Sequence, residues 1–171
     1  MKIGIDIGRV IIKPAETHHD TSFLSGSDAD AMRTPPSEGA FDAIRRLYSV
    51  SGGRIWLVSK CGARVEARSR AWLAHWRFTE HTGVTPDRFR FCKKRPDKAI
   101  IARELGLEAF IDDRVDIARH LGGVVEHRLL FGPQKRGTVV PAGVEPVADW
   151  ADVLDVLLPR VAAASDRKVA G

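Results

Sequence analysis

The stretch IGIDIGRVII, residues 3–12, decides the fold expected of this chain. Its apolar run breaks at a carboxylate, Asp6, and then passes into a turn that contains Gly8. A short run of β-branched residues that ends at a turn predicts a strand, here over residues 2–7. Open parallel sheets bind ligands outside the carboxyl ends of their strands, so Asp6 is a candidate site residue.

Beyond this stretch, short apolar runs alternate with segments of helical periodicity. The alternation is typical of βαβ units and predicts an α/β fold, a Rossmann-like three-layer α/β/α sandwich with a mainly parallel sheet. Four further strands are predicted over residues 54–59, 88–92, 108–112 and 127–131. Helices are predicted over residues 39–50, 62–78, 95–106, 114–122 and 148–164, and Trp72 and Trp76 are interpreted as core residues of the second one.

Length and composition indicate one ordinary globular domain, because the chain has 171 residues of which 44% are apolar. We place the domain at residues 1–158, followed by the end of the last helix and a frayed tail at 159–171. No apolar run approaches the roughly 20 residues of a membrane span, and no signal peptide is evident, so we expect a cytoplasmic protein without membrane contact. Cys61 and Cys92 fit no metal-ligand spacing and are expected to be reduced thiols.

The net charge of +5 comes from basic residues scattered along the chain, with no block of five or six like charges. A basic balance favours anionic ligands, although a solvated basic surface is the simpler explanation. We therefore expect a small phosphorylated substrate or ligand as the partner, and we do not expect nucleic acid.

Residues 13–37 are polar, rich in turn-formers, and longer than the roughly 12–15 residues of an ordinary connection. The segment follows the first strand, so it is expected to overhang the site as a minimal lid, with no full cap domain. A lid this small leaves two alternatives. Either the site is open to large substrates, or a second subunit of a homo-oligomer closes the site. His18 and His19 in this segment could supply a proton, but a histidine in a loop is usually only solvated.

Chemistry-bearing residues end strands or open helices at the same predicted edge of the sheet. They are Asp6, Ser59, Lys98, Asp112 and Asp113. An adjacent acidic pair that closes a buried strand is costly unless a cation compensates it. Carboxylate oxygens, together with water and substrate phosphate, are the usual ligands of Mg²⁺, so the sequence predicts a magnesium site.

In this order the motifs resemble those of the haloacid dehalogenase-like (HAD) hydrolase superfamily. They are IDIGRV, LVS, a lysine near PDK, and FIDD, within residues 3–131. The stretch DKAIIARELGLEAFIDDRVDI, followed by HRLLF, is most similar to the 5′(3′)-deoxyribonucleotidase-like branch of that superfamily.

The resemblance implies a Mg²⁺-dependent phosphatase or nucleotidase-like hydrolase. Asp6 would be the nucleophile that forms an aspartyl-phosphate, Ser59 would bind a phosphate oxygen, and Lys98 would neutralise charge. Lys94 is the alternative to Lys98, because in other branches the motif lysine precedes a proline as Lys94 precedes Pro96. The metal ligands implied are carboxylates of Asp6, Asp112 and Asp113 and the backbone carbonyl of Gly8.

Gly8 departs from the family pattern, in which a second aspartate protonates the leaving group and then activates water. General acid–base catalysis typically contributes about 10²–10⁴-fold, so hydrolysis of an ordinary monoester is expected to be weakened. Three functions therefore remain open. The first is an impaired phosphoric monoester hydrolase. The second is a pseudoenzyme that binds a phosphate ligand or has a regulatory role. The third is a hydrolase of carbon–halogen bonds or phosphonates.

Overall fold

The computed structural model describes residues 1–13 and 26–169, with side chains described up to residue 164. Six strands form one sheet in the order β3-β2-β1-β4-β5-β6, and every neighbouring pair is parallel. The strands are β1 (Ile3–Ile5), β2 (Ile55–Lys60), β3 (Phe89–Cys92), β4 (Ala109–Asp112), β5 (His127–Phe131) and β6 (Val144–Val147). The strand order reverses between β1 and β4, as in a Rossmann-like fold.

Helices cover both faces of the sheet and complete the three-layer α/β/α sandwich that the sequence predicts. They are α1 (Asp28–Arg33), α2 (Ala40–Val50), α3 (Ala63–His75), α4 (Phe78–Thr82), α5 (Asp97–Leu105), α6 (Val115–His120) and α7 (Trp150–Val169). A 3₁₀ turn, Pro86–Arg88, precedes β3. In the described part of the chain, no helix is both long and apolar enough to cross a membrane.

Three apolar clusters hold the layers together, of which the smallest joins Ala118 of α6 to Leu130 and Val144 of β5 and β6. The largest one joins α2, α3, α4 and α7 to one face of the sheet, and the second one joins α5 and α6 to the other face. Trp72 is fully buried in the largest cluster, and Trp76 is half-buried against it.

Close packing explains a glycine in the first strand. A Cβ added at Gly4 would lie 2.6 Å from both the Phe110 ring and a Leu107 methyl group, so only glycine lets these side chains cover β1. This packing fixes β1 beside β4 at the centre of the sheet.

The segment of residues 13–37 is not wholly irregular, because its described part contains helix α1. Ser27 and Asp30 form a capping box, in which the Ser27 hydroxyl accepts from the Asp30 amide and the Asp30 carboxylate accepts from the Ser27 amide. The pattern is visible in the sequence, so it is the signal that could have indicated the helix. His18 and His19 lie outside the described residues.

The remaining differences concern element ends and one strand. The helix predicted over residues 62–78 ends at His75, because Arg77 adopts a left-handed backbone conformation with a φ of 53° before α4 begins. Helix α7 runs to Val169, and buried Val161 and Ala164 extend the core past residue 158. No strand is predicted over residues 144–147, whereas the structure forms β6 there. Pro146 disfavours a strand in general but is tolerated in β6, because β6 lies at the edge of the sheet.

Candidate functional site

The site lies in the crevice where the strand order reverses. Asp6 directly follows β1, Asp112 is the last residue of β4, and the Asp6 amide donates to the Ile111 carbonyl at 2.9 Å. Both aspartates are buried, with 7% and 2% of their surface exposed. Parallel pairing of the two strands therefore brings carboxylates together that are more than 100 residues apart in sequence.

Lys98 lies between these carboxylates. Its ammonium nitrogen is 2.7 Å from Asp112 Oδ2, to which it donates a hydrogen bond, and 2.9 Å from Asp6 Oδ1. Lys98 is 2% exposed in the first turn of α5, whereas Lys94 is exposed in the preceding loop, where its amide donates to the Asp97 carboxylate. Of the two lysines considered from the sequence, only Lys98 contacts the aspartates.

Asp113 completes an acidic group with Asp6 and Asp112, in which one carboxylate oxygen from each lies within 4.8 Å of the others. Asp113 pairs with Arg9 at 3.1 Å, and Asp112 Oδ1 accepts from the Arg114 amide at 2.9 Å. Arg9 has a φ of 62°, a conformation that few non-glycine residues adopt.

Burial and mutual repulsion perturb the pKa values of these groups. Burial and the charge of Asp6 raise the pKa of Asp112, and the same two causes raise the pKa of Asp113 to about 6. Burial opposes the charged form of Lys98, but the carboxylates of Asp6 and Asp112 outweigh it and raise the pKa of the ammonium group. Lys98 is therefore a fixed positive charge, while the acidic group lacks enough positive charge to balance it.

The donor set fits a hard divalent cation. Asp6 Oδ1 is buried and contacts the Lys98 ammonium group at 2.9 Å. That single positive charge faces the carboxylates of both Asp6 and Asp112, so a bound cation would offset the negative charge that Lys98 leaves uncompensated. Three carboxylates within reach of one another are the kind of ligand that Mg²⁺ prefers.

Ser59 and Gly8 are the two other site residues predicted from the sequence, and neither is among the residues that line the cleft at Asp6. Ser59 is 8% exposed near the end of β2, next to β1 in the sheet. Gly8 lies two residues after Asp6, and a Cβ added to it would meet nothing within 4 Å. Its φ is not among the positive values, so an aspartate at this position would be strained neither by its backbone nor by its neighbours.

A cleft of about 270 Å³ opens onto Asp6 and Lys98. The sequence did not indicate as site residues the others that line the cleft, which are Lys60, Cys61, Gly62, Val65, Arg95, Arg114 and Ile117. Their position in the sequence could have indicated them, because the polar residues of this lining lie at or shortly after the ends of predicted strands. Burial, together with the nearby carboxylates, raises the pKa of Cys61 to about 11, so this thiol is protonated at neutral pH. A larger groove of about 800 Å³ beside α2 and α7 contains none of the predicted site residues.

Comparison with known proteins assigns the chain to no family. No protein-family model matches the chain, and no curated protein matches it. One similar solved structure is an NMR structure of a de novo designed Rossmann 3x3 fold protein, with 14% identity, a TM-score of 0.44 and coverage of 93% of each chain. The class of protein is thus defined by the structure itself: an α/β protein with a six-stranded parallel sheet and a lysine–carboxylate cluster at its topological switch point.

Proposed function

We propose that the protein is a Mg²⁺-dependent HAD-like hydrolase that acts through an aspartyl-phosphate on a small phosphorylated compound, with weakened general acid function. The observation that carries the proposal is the buried ammonium group of Lys98, held between Asp6 and Asp112 at the switch point. A charge so deeply buried is seldom retained without a function or a structural need, and here it faces an accessible cleft.

The carboxylates of Asp6, Asp112 and Asp113 would hold Mg²⁺. The family resemblance implies the backbone carbonyl of Gly8 as a further ligand. When bound, the ion would offset negative charge on the phosphoryl oxygens. Lys98 stays protonated and offsets the remaining charge close to Asp6. Ser59 donates a hydrogen bond to a phosphoryl oxygen.

In the first step a carboxylate oxygen of Asp6 attacks phosphorus, and the bond from phosphorus to the leaving oxygen breaks. The leaving group takes the electron pair and departs as an anion, because Gly8 offers no proton. Water then attacks the phosphorus of the aspartyl-phosphate, which restores the carboxylate and releases inorganic phosphate. Esters with stable leaving anions are therefore the favoured substrates.

The test is hydrolysis of 4-nitrophenyl phosphate by the purified protein. We expect nitrophenolate release that requires Mg²⁺, stops with a chelator and is lost in Asp6→Asn. Asp42→Asn is the matched control, because Asp42 is 85% exposed on α2 and pairs only with Arg45 among the described residues. Equal activity in Asp6→Asn and wild type, or no release by the wild type with Mg²⁺, would contradict the proposal.

A second candidate function is binding of a phosphate ligand without turnover. Gly8 favours it, as does the described lining of the cleft, which contains no histidine or glutamate to act as a general acid. A binding protein would be inert in the nitrophenyl phosphate assay but would still bind inorganic phosphate in the presence of Mg²⁺, as measured by calorimetry.

A further inference from the structure

The outer part of the cleft has more positive charge than one phosphoryl group requires. We propose that the cleft binds a ligand with a second phosphate group, held by Lys60 and Arg95 beside the phosphate over Asp6. This inference rests on the proposed function and specifies the class of substrate.

The inner cluster, which consists of Asp6, Asp112, Asp113, Lys98 and Arg9, has a charge that suits one phosphate group when Mg²⁺ is bound. When all three are ionised, as in a metal-bound site, the carboxylates of Asp6, Asp112 and Asp113 carry three negative charges against the two positive charges of Lys98 and Arg9. A bound Mg²⁺ would turn this net negative charge into a net positive one, which suits a single phosphoryl group. The inner cluster therefore does not need the cations farther out.

Those outer cations have few anionic partners. Lys60, at the end of β2, lines the cleft, is exposed, and forms no ion pair with any residue that the structure describes. Arg95 lies 3.6 Å from Asp116, but Arg114 already binds both oxygens of that carboxylate at 2.9 and 3.1 Å. The guanidinium group of Arg95 is consequently only weakly neutralised.

The charge surplus continues outward from the cleft. Lys93 and Lys94 precede Arg95 in the loop after β3, both are exposed, and neither has an ionic partner among residues 1–13 and 26–164. Lysine and arginine are the side chains that bind phosphate, arginine through two parallel hydrogen bonds. Because Lys60 and Arg95 line the same cleft as Asp6, one ligand can contact both the inner cluster and this outer pair.

The experiment compares non-hydrolysable ligands that differ only in the second anionic group. Propylphosphonate is titrated against a series of α,ω-alkane bisphosphonates by calorimetry at fixed free Mg²⁺. We expect at least one bisphosphonate to bind about tenfold more tightly than propylphosphonate, as for one added charge-assisted contact. Lys60→Ala and Arg95→Ala should each remove most of this gain while weakening propylphosphonate much less.

Arg103→Ala is the control, because Arg103 is an exposed arginine in the last turn of α5, the helix that follows Arg95, and it does not line the cleft. It should keep the full gain. Adenosine 3′,5′-bisphosphate and a 5′-phosphorylated dinucleotide then distinguish the two sources of a second phosphate, a small bisphosphate and a nucleic-acid end.

If no bisphosphonate gains over propylphosphonate, or if the gain survives both variants, the second phosphate site is refuted while the proposed function stands. If propylphosphonate and inorganic phosphate themselves fail to bind with Mg²⁺, the proposed function fails together with the inference.

Discussion

At the scale of single residues, Gly8 is the position that most limits the chemistry proposed for the site. It replaces the proton donor that the family resemblance implies, yet the backbone there does not require glycine. A side chain would enter open space between β1 and the start of the polar segment. The missing acid is therefore a change that a single substitution can reverse.

Gly8→Asp should raise turnover of alkyl phosphates by a substantial part of the roughly 10²–10⁴-fold that general acid–base catalysis supplies. Nitrophenyl phosphate should gain much less, because its leaving group departs without a proton. The measurement is kcat for both ester types in folded protein, with folding checked by circular dichroism. Gly8→Asn is the matched control, since it adds a side chain of the same size that cannot donate a proton as an acid; equal gains in the two variants would disprove the mechanism.

At the scale of elements, α3 holds α1 and its flanking residues through side chains spaced four residues apart. Arg68 pairs with Asp28 at 2.8 Å, Trp72 donates to the Thr34 carbonyl at 2.7 Å, and Trp76 donates to the Met32 carbonyl at 3.1 Å. Residues four apart lie on one face of a helix, so these donors form a single row along α3. The described part of the segment of residues 13–37 is thus structure packed against α3.

Arg68→Ala should lower the free energy of unfolding by about 1–3 kcal/mol, because a buried charged group that binds Asp28 and the Gly26 carbonyl is lost. Arg70→Ala, on the same helix, should lower it by less than about 1 kcal/mol, since Arg70 is 43% exposed and pairs within the helix with Glu66. Urea unfolding measures both. Hydrogen exchange should also speed up in α1 for Arg68→Ala alone, and equal effects of the two variants would show that the row does not anchor α1.

At the scale of the whole molecule, the site depends on the order of the strands. The carboxylates come from the ends of β1 and β4, which are neighbours only because the order reverses between them. A cation bound to both ends would link the two halves of the sheet, so its binding free energy would contribute to the stability of the entire fold.

Mg²⁺ should therefore raise the melting temperature of the wild type, and removing it with a chelator should reverse the rise. Asp112→Asn should abolish the Mg²⁺-dependent part of the shift, because Asp112 is a proposed ligand. Asp116→Asn should keep that shift, since Asp116 lies only four residues after Asp112, in the first turn of α6, but outside the acidic group. Scanning calorimetry at increasing Mg²⁺ concentrations measures the melting temperature of each variant. An unchanged Mg²⁺-dependent shift in Asp112→Asn would rule out the metal site.

The sequence by itself determined the fold class and most of the strands, because both follow from the local alternation of apolar runs and helical periodicity. The apolar run that ends at Asp6 and the one that ends at Asp112 identify strands and their terminal carboxylates without any knowledge of neighbours. Strand β6 has no such clear local pattern, because Pro146 is a residue that generally disfavours strands. Proline is acceptable in β6 only because this strand lies at the edge of the sheet.

Tertiary structure alone decided which cations accompany the carboxylates. The motif favours Lys98 and leaves Lys94 as the alternative, and the choice between them depends on where α5 begins and how it packs against the sheet. Likewise Lys60 and Arg95 share a cleft only because β2 and β3 are adjacent, a pairing between residues distant in sequence. The physical reason is that strand order and helix packing are set by burial of apolar surface across the whole chain, which no local pattern records.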